Sequence, residues 1–141
     1  MTVRALDHTA DIGFEVRSPD RSSLFAECAL ALARSIASEE GLVPREEHAV
    51  DLVATTLEEL LVDWLEEQVF LCDTRGLLTV DCMVEIQEAP EAGYRLLGVL
   101  RGDRYDAGRH RLKVQVKAVT YHGLKVERRD GEWFARVILD I

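Results

Sequence analysis

Proline and glycine are scarce: the 141-residue chain holds 3 and 9 of them. That excludes a collagen-like or low-complexity chain. No Pro/Gly/Ser-rich linker and no internal repeat divides the sequence, so one domain is expected over residues 1–141. Cysteine is equally sparse. Cys28, Cys72 and Cys82 are odd in number, form no C-x-x-C pair and lie in apolar-patterned segments. Buried free thiols in a reducing compartment are expected, not a disulfide framework or a zinc site. Basic residues are the minority, 17 Lys+Arg against 26 Asp+Glu, for a formal net charge of −9. Phosphate backbones repel such a chain, which argues against tight unaided RNA or DNA binding. A basic protein partner or a divalent cation suits it better. No apolar run is long enough to span a membrane and the N-terminus has no leader pattern, so a cytoplasmic protein is expected. Phosphate-loop, dinucleotide-fingerprint and nucleophile-elbow motifs are all missing.

Hydrophobic residues make up 48% of the chain, enough for a core at this length. Ile12, Phe14 and Val16 alternate with Gly13, Glu15 and Arg17, the period of a half-buried strand. Pro19 or Asp20 suits a helix entry, and Leu24, Phe25, Cys28, Ala29, Leu32 and Ile36 follow on one helical face. A strand is expected over 48–55. A second helix follows, with Thr56 and Glu59 as a capping box and Gly76 as its stop. Its Glu58, Glu59, Glu66 and Glu67 read as a solvated face.

The remainder reads as strands: 77–89, 94–102, a long alternating strand over 110–122, and a hairpin turning at Asp130-Gly131. Turns rather than crossover helices join these strands. The expected class is α+β, a two-layer sandwich of two helices on a mostly antiparallel or mixed sheet.

The candidate chemistry sits at the two ends of the chain. Asp7, His8 and Asp11 crowd the start of the first clear strand, and Asp140 and Ile141 close the last. Carboxylates are hard ligands for Ca²⁺, Mg²⁺ or Mn²⁺. If the first and last strands adjoin, these residues form an oxygen-rich cation site. An aspartate before Gly13 serves equally well as a turn residue. Asp140 shares a strand face with Phe134 and Ile138, where a carboxylate costs free energy unless a cation, Arg136 or a lysine pairs with it. Lys113, Lys117 and Tyr121 share one face of the long strand, with Lys125, Arg128 and Arg129 beyond. That face is either an edge-protecting lysine row or a docking or phosphate-facing patch.

The segments "DHTADIGFEV", "KAVTYHGLKVE" and "RVILDI", in this order along the whole chain, resemble the archease family. The resemblance implies a small α+β protein that assists the RNA ligase of tRNA splicing. That ligase joins a 2′,3′-cyclic phosphate or 3′-phosphate RNA end to a 5′-hydroxyl end, after GTP-dependent guanylylation on a histidine. It implies a non-catalytic activator that promotes guanylylation and repeated turnover. It also implies a divalent-metal site at Asp11, Asp140 and Ile141, with His8 and Asp7 as candidate supporting residues and Lys117 and His122 as candidate partner contacts. Two other readings compete: a metal-dependent hydrolase working through Asp7, His8, Asp11 and Asp140, and a chaperone or modulator of a tRNA-modifying enzyme such as a tRNA methyltransferase. The latter needs an exposed apolar surface, whereas the apolar residues are largely accounted for by core faces.

Overall fold

The computed structural model describes residues 2–7 and 11–141. Its elements run β1 (Thr2–Asp7), β2 (Asp11–Ser18), α1 (Arg21–Ile36), β3 (Glu46–Ala54), α2 (Leu57–Arg75), β4 (Leu77–Ala89), β5 (Gly93–Arg104), β6 (Ala118–Arg129) and β7 (Glu132–Asp140). The α+β class with two helices stands. All pairing between these strands is antiparallel, and the strands divide into two sheets, of order β1-β2-β7-β6 and β3-β5-β4. Each helix touches both sheets.

The helix ends follow from capping chemistry. Asp20 Oδ1 accepts from the Ser23 N–H at 2.8 Å, and Thr56 Oγ1 accepts from the Glu59 N–H at 3.1 Å. Gly76 closes α2 at φ 65°, a left-handed position that glycine adopts without strain. Leu24, Phe25, Cys28, Ala29 and Leu32 of α1 are buried with Leu60, Leu61, Trp64 and Leu65 of α2. Two bonds lock the helices in register. Trp64 Nε1–H donates to the Phe25 carbonyl and Gln68 Nε2–H to the Ala29 carbonyl, each at 3.0 Å. Donors four residues apart meet acceptors four residues apart, so both lie on facing helical stripes.

The Trp64 ring lies beneath β5. A methyl group at Gly98 would stand 2.9 Å from its Cζ3 and 3.0 Å from its Cη2. Gly98→Ala is therefore expected to overpack the core and cost about 1–3 kcal/mol, read as a lower urea midpoint at unchanged slope.

Three segments depart from the sequence expectations. Residues 2–7, outside every element expected from the sequence, form β1 on the edge of the larger sheet. The strand expected over 110–122 does not exist as such. Residues 113–117 run outside any sheet, Leu112 makes only an isolated bridge with Ala37, and β6 begins at Ala118. Alternation there reflects an extended segment with Val116 buried in the core, not a paired strand. Lys113 and Lys117 thus share no strand face with Tyr121. Finally, Glu66 is not merely solvated. Its Oε1 accepts from the Val119 N–H at 2.7 Å, covering an edge amide of β6.

Candidate functional site

The larger sheet brings the two ends of the chain together. β2 pairs with β7 so that Asp11 stands directly opposite Asp140, and on the other side of β7 Asp140 stands opposite Ala118. The β6–β7 hairpin turns tightly at Asp130 and Gly131, which both take positive φ, 51° and 81°, and β6 shifts register between Lys125 and Thr120 before Ala118 meets Asp140. The Lys117 N–H donates to the Asp140 carbonyl at 2.8 Å, holding the segment before β6 against the end of β7.

Residues directly opposite in an antiparallel pair share a face, with Cβ atoms about 4.5–5.5 Å apart, and like charges there are destabilising. The face is the outer one, since Ala135, Val137 and Leu139 of β7 and Phe14 and Val16 of β2 point into the core. Asp11 is half-buried and Asp140 exposed. Two facing aspartates with Ile141 adjoining supply hard oxygen donors, and a divalent cation would relieve their repulsion. Among the described residues, no three His, Cys, Asp or Glu side chains are gathered closely enough to hold a metal. The aspartate pair would therefore draw on the oxygens of Ile141.

Of the supporting residues, His8 lies outside the described residues. The Asp7 backbone closes β1 opposite Ile12, next along β2 from Asp11. Lys117 is exposed and tied to Asp140 through its backbone. His122 is exposed and falls in the stretch where β6 shifts register against β7, between Thr120 and Lys125. There Gly123, at φ 67°, passes over β7: a methyl on it would stand 3.6 Å from Arg136 Nε and 3.7 Å from Ile138 Cγ1.

Tyr121 stands beside α2. Burial, together with the charges of Asp63, Glu59 and Glu66, pushes its phenol pKa up. Burial and Glu59 likewise raise Asp63. Neither Asp63 nor Glu59 forms an ion pair among the described residues, so this side of the molecule presents net negative charge to a partner.

Sequence reasoning missed a buried cluster at the end of β5. Asp103 Oδ2 accepts from the Val43 N–H and meets His110 Nε2, each at 3.1 Å, and Arg109 and Arg45 stand 3.6 and 3.7 Å from the carboxylate. His110 Nδ1 accepts from the Asp106 N–H at 2.9 Å, so its proton sits on Nε2, shared between Asp103 and the Gly41 carbonyl at 3.1 Å. Burial raises the Asp103 pKa, but the Val43 and His110 hydrogen bonds and both arginines outweigh it, leaving the carboxyl below its ordinary range. The cluster clamps the α1–β3 and β5–β6 connections to the end of β5. No motif announces it, because its members come from separate stretches of the chain.

The three cysteines are free. Burial drives the Cys28 thiol above the ordinary range and pushes Cys82 up to about 12, so both are poor thiolates.

Two helices that each touch two antiparallel sheets, with Asp11 and Asp140 facing each other across the central strands of the larger one, define a small α+β domain. Comparison narrows that class. The family model described as "Archease protein family (MTH1598/TM1083)" matches residues 4–141. "Protein archease" of Methanopyrus kandleri is 41% identical over 137 residues, 96% of each chain. That of Archaeoglobus fulgidus is 36% identical over 141 residues, the whole of both chains. The solution structure of Methanobacterium thermoautotrophicum protein 1598 superposes with a TM-score of 0.86 at 34% identity, covering 99% of this chain and 98% of that one. The chain belongs to the archease family. Among its described residues no helix is long and apolar enough to cross a membrane.

Proposed function

We propose that this protein is a non-catalytic activator of the RNA ligase that joins 2′,3′-cyclic phosphate or 3′-phosphate ends to 5′-hydroxyl ends in tRNA splicing. The observation that carries the reading is the facing pair Asp11 and Asp140, in a chain of this family. Asp11, Asp140 and Ile141 would hold a divalent cation, Ca²⁺, Mg²⁺ or Mn²⁺. When bound, it would supply charge neutralisation at phosphate oxygens for guanylyl transfer from GTP. The chain itself supplies an open strand end rather than a nucleophile. Its carboxylates can approach a basic, phosphate-bearing centre on the ligase, and the backbone-anchored Lys117 lies beside Asp140. Ligation with the ligase well below substrate, with and without this protein, tests the reading. Repeated turnover only in its presence is expected; a single turnover in both would overturn it.

A second reading has its own observation. The outer face of the three-stranded sheet carries Met83, Val99 and Ala49 in one cross-strand row, with Leu97 and Val53 nearby. Met83 is 67% and Val53 53% exposed. The apolar residues are thus not all accounted for by the core, and this patch suits a chaperone or a modulator of a tRNA-modifying enzyme such as a tRNA methyltransferase. It predicts that Met83→Lys abolishes suppression of client aggregation, followed by light scattering, while Asp140→Ala leaves it unchanged. The reverse pattern would exclude the patch.

A further inference from the structure

β6 lies on the edge of the larger sheet, and it pairs with β7 in two separate blocks. Beside the Asp130-Gly131 turn, Lys125 to Arg129 stand opposite Arg136 to Glu132. At the far end, Ala118, Val119 and Thr120 stand opposite Asp140, Leu139 and Ile138. Between the blocks, four residues of β6 (121–124) stand against the single Val137 of β7. An ordinary bulge adds one residue to one strand. Here β6 carries three more than its partner, so the ladder that starts at the hairpin turn does not fix where Ala118 meets Asp140.

Two tethers bracket Ala118 instead. The Lys117 N–H donates to the Asp140 carbonyl at 2.8 Å. The Val119 N–H donates to Glu66 Oε1 of α2 at 2.7 Å. A bond from an amide to a carboxylate is short and roughly twice as strong as a neutral one. Glu67, the next residue of α2, turns to the other sheet: its Oε1 lies 3.2 Å from His48 Nε2 in β3. Both glutamates are half-buried. Neighbouring carboxylates thus fasten α2 to both sheets, and only that of Glu66 reaches the block that contains Asp140.

We propose that Glu66 is a positioning residue for the Asp11–Asp140 pair. The two aspartates stand opposite across β2 and β7, where like charges repel. β6 is the strand that holds β7 from its other side. With the Val119 N–H held, the end of β7 keeps its place and the two carboxylates keep one separation, suited to a shared cation. With it released, the short block of β6 loosens and the end of β7 gives way under the repulsion. Glu66 acts through the backbone of β6, not as a ligand. The proposal rests on the reading of this pair as a divalent-cation site.

The test compares the full chain with Glu66→Ala, Glu66→Gln and Glu67→Ala, using Mn²⁺ alone as the probe. Two quantities are read: Mn²⁺ affinity by electron paramagnetic resonance, and metal-free amide exchange by NMR over residues 118–120 and 138–140. Glu66→Ala is expected to weaken Mn²⁺ binding about tenfold, the lower end for groups that support ligands, and to speed exchange in both stretches about tenfold or more. Glu66→Gln keeps an acceptor and should stay within about threefold of wild type in both. Glu67→Ala loses an equal charge and a comparable contact, and should leave both unchanged. Equal weakening by Glu66→Gln and Glu66→Ala would overturn the proposal in favour of long-range charge. Faster exchange with wild-type Mn²⁺ affinity would overturn it too, making Glu66 structural only. A wild type that binds no Mn²⁺ would sink the cation reading itself, and the exchange data would then decide whether Glu66 holds the strand end.

Discussion

Asp140→Ala is expected to fold as well as wild type and to lose ligase activation by more than about tenfold. Even residues that only support a metal's ligands typically contribute 10–100-fold to affinity, and Asp140 would be a direct ligand. The stability expectation has its own reason. Asp140 is exposed and faces Asp11 across the β2–β7 pair. Removing one of two facing like charges does not destabilise an antiparallel pair when no cation is bound. Metal-free melting should therefore be unchanged or slightly higher in the variant. Added divalent cation should raise the wild-type melting temperature and leave the variant's where it was. Equal stimulation by wild type and variant would make the aspartates structural and shift the working surface elsewhere.

The second large effect concerns stability alone. Asp103→Ala is expected to cost about 3–5 kcal/mol, because it leaves the His110 and Val43 donors and two arginines around a lost buried carboxylate. Asp103→Asn keeps an acceptor and should cost less, about 1–3 kcal/mol. The pH dependence follows from the direction of the shift. The folded Asp103 carboxyl titrates below its unfolded value. Its stabilisation is complete above the ordinary carboxylate range, about pH 4, and is lost as pH falls through the lowered folded value. Urea midpoints of wild type and Asp103→Asn should therefore differ most near neutrality and converge in acid. A constant difference down to strongly acid pH would show that packing, not the carboxylate charge, makes the cluster stable.

These two sites differ in how far the chain reveals them. The aspartates were legible because motif and position coincide: Asp11 opens an alternating strand and Asp140 closes another. The Asp103–His110 cluster was not, since its residues carry no shared period or spacing.

What the sequence determined by itself is local. The caps at Asp20, Thr56 and Gly76, the helix faces around Leu24 and Leu60, the Asp130-Gly131 turn and β4 are written in hydrogen-bonding chemistry and in periods of two and 3.6 residues. Tertiary structure decided what depends on partners far along the chain. Whether an alternating stretch becomes a strand depends on a neighbour to pair with: residues 2–7 found one in β2, and residues 113–117 did not. The division of the strands into two sheets, both touched by each helix, is likewise a matter of long-range packing. The meeting of Asp11 and Asp140 is a matter of register, and register is fixed by which faces of β2 and β7 the core demands, a condition no single strand contains.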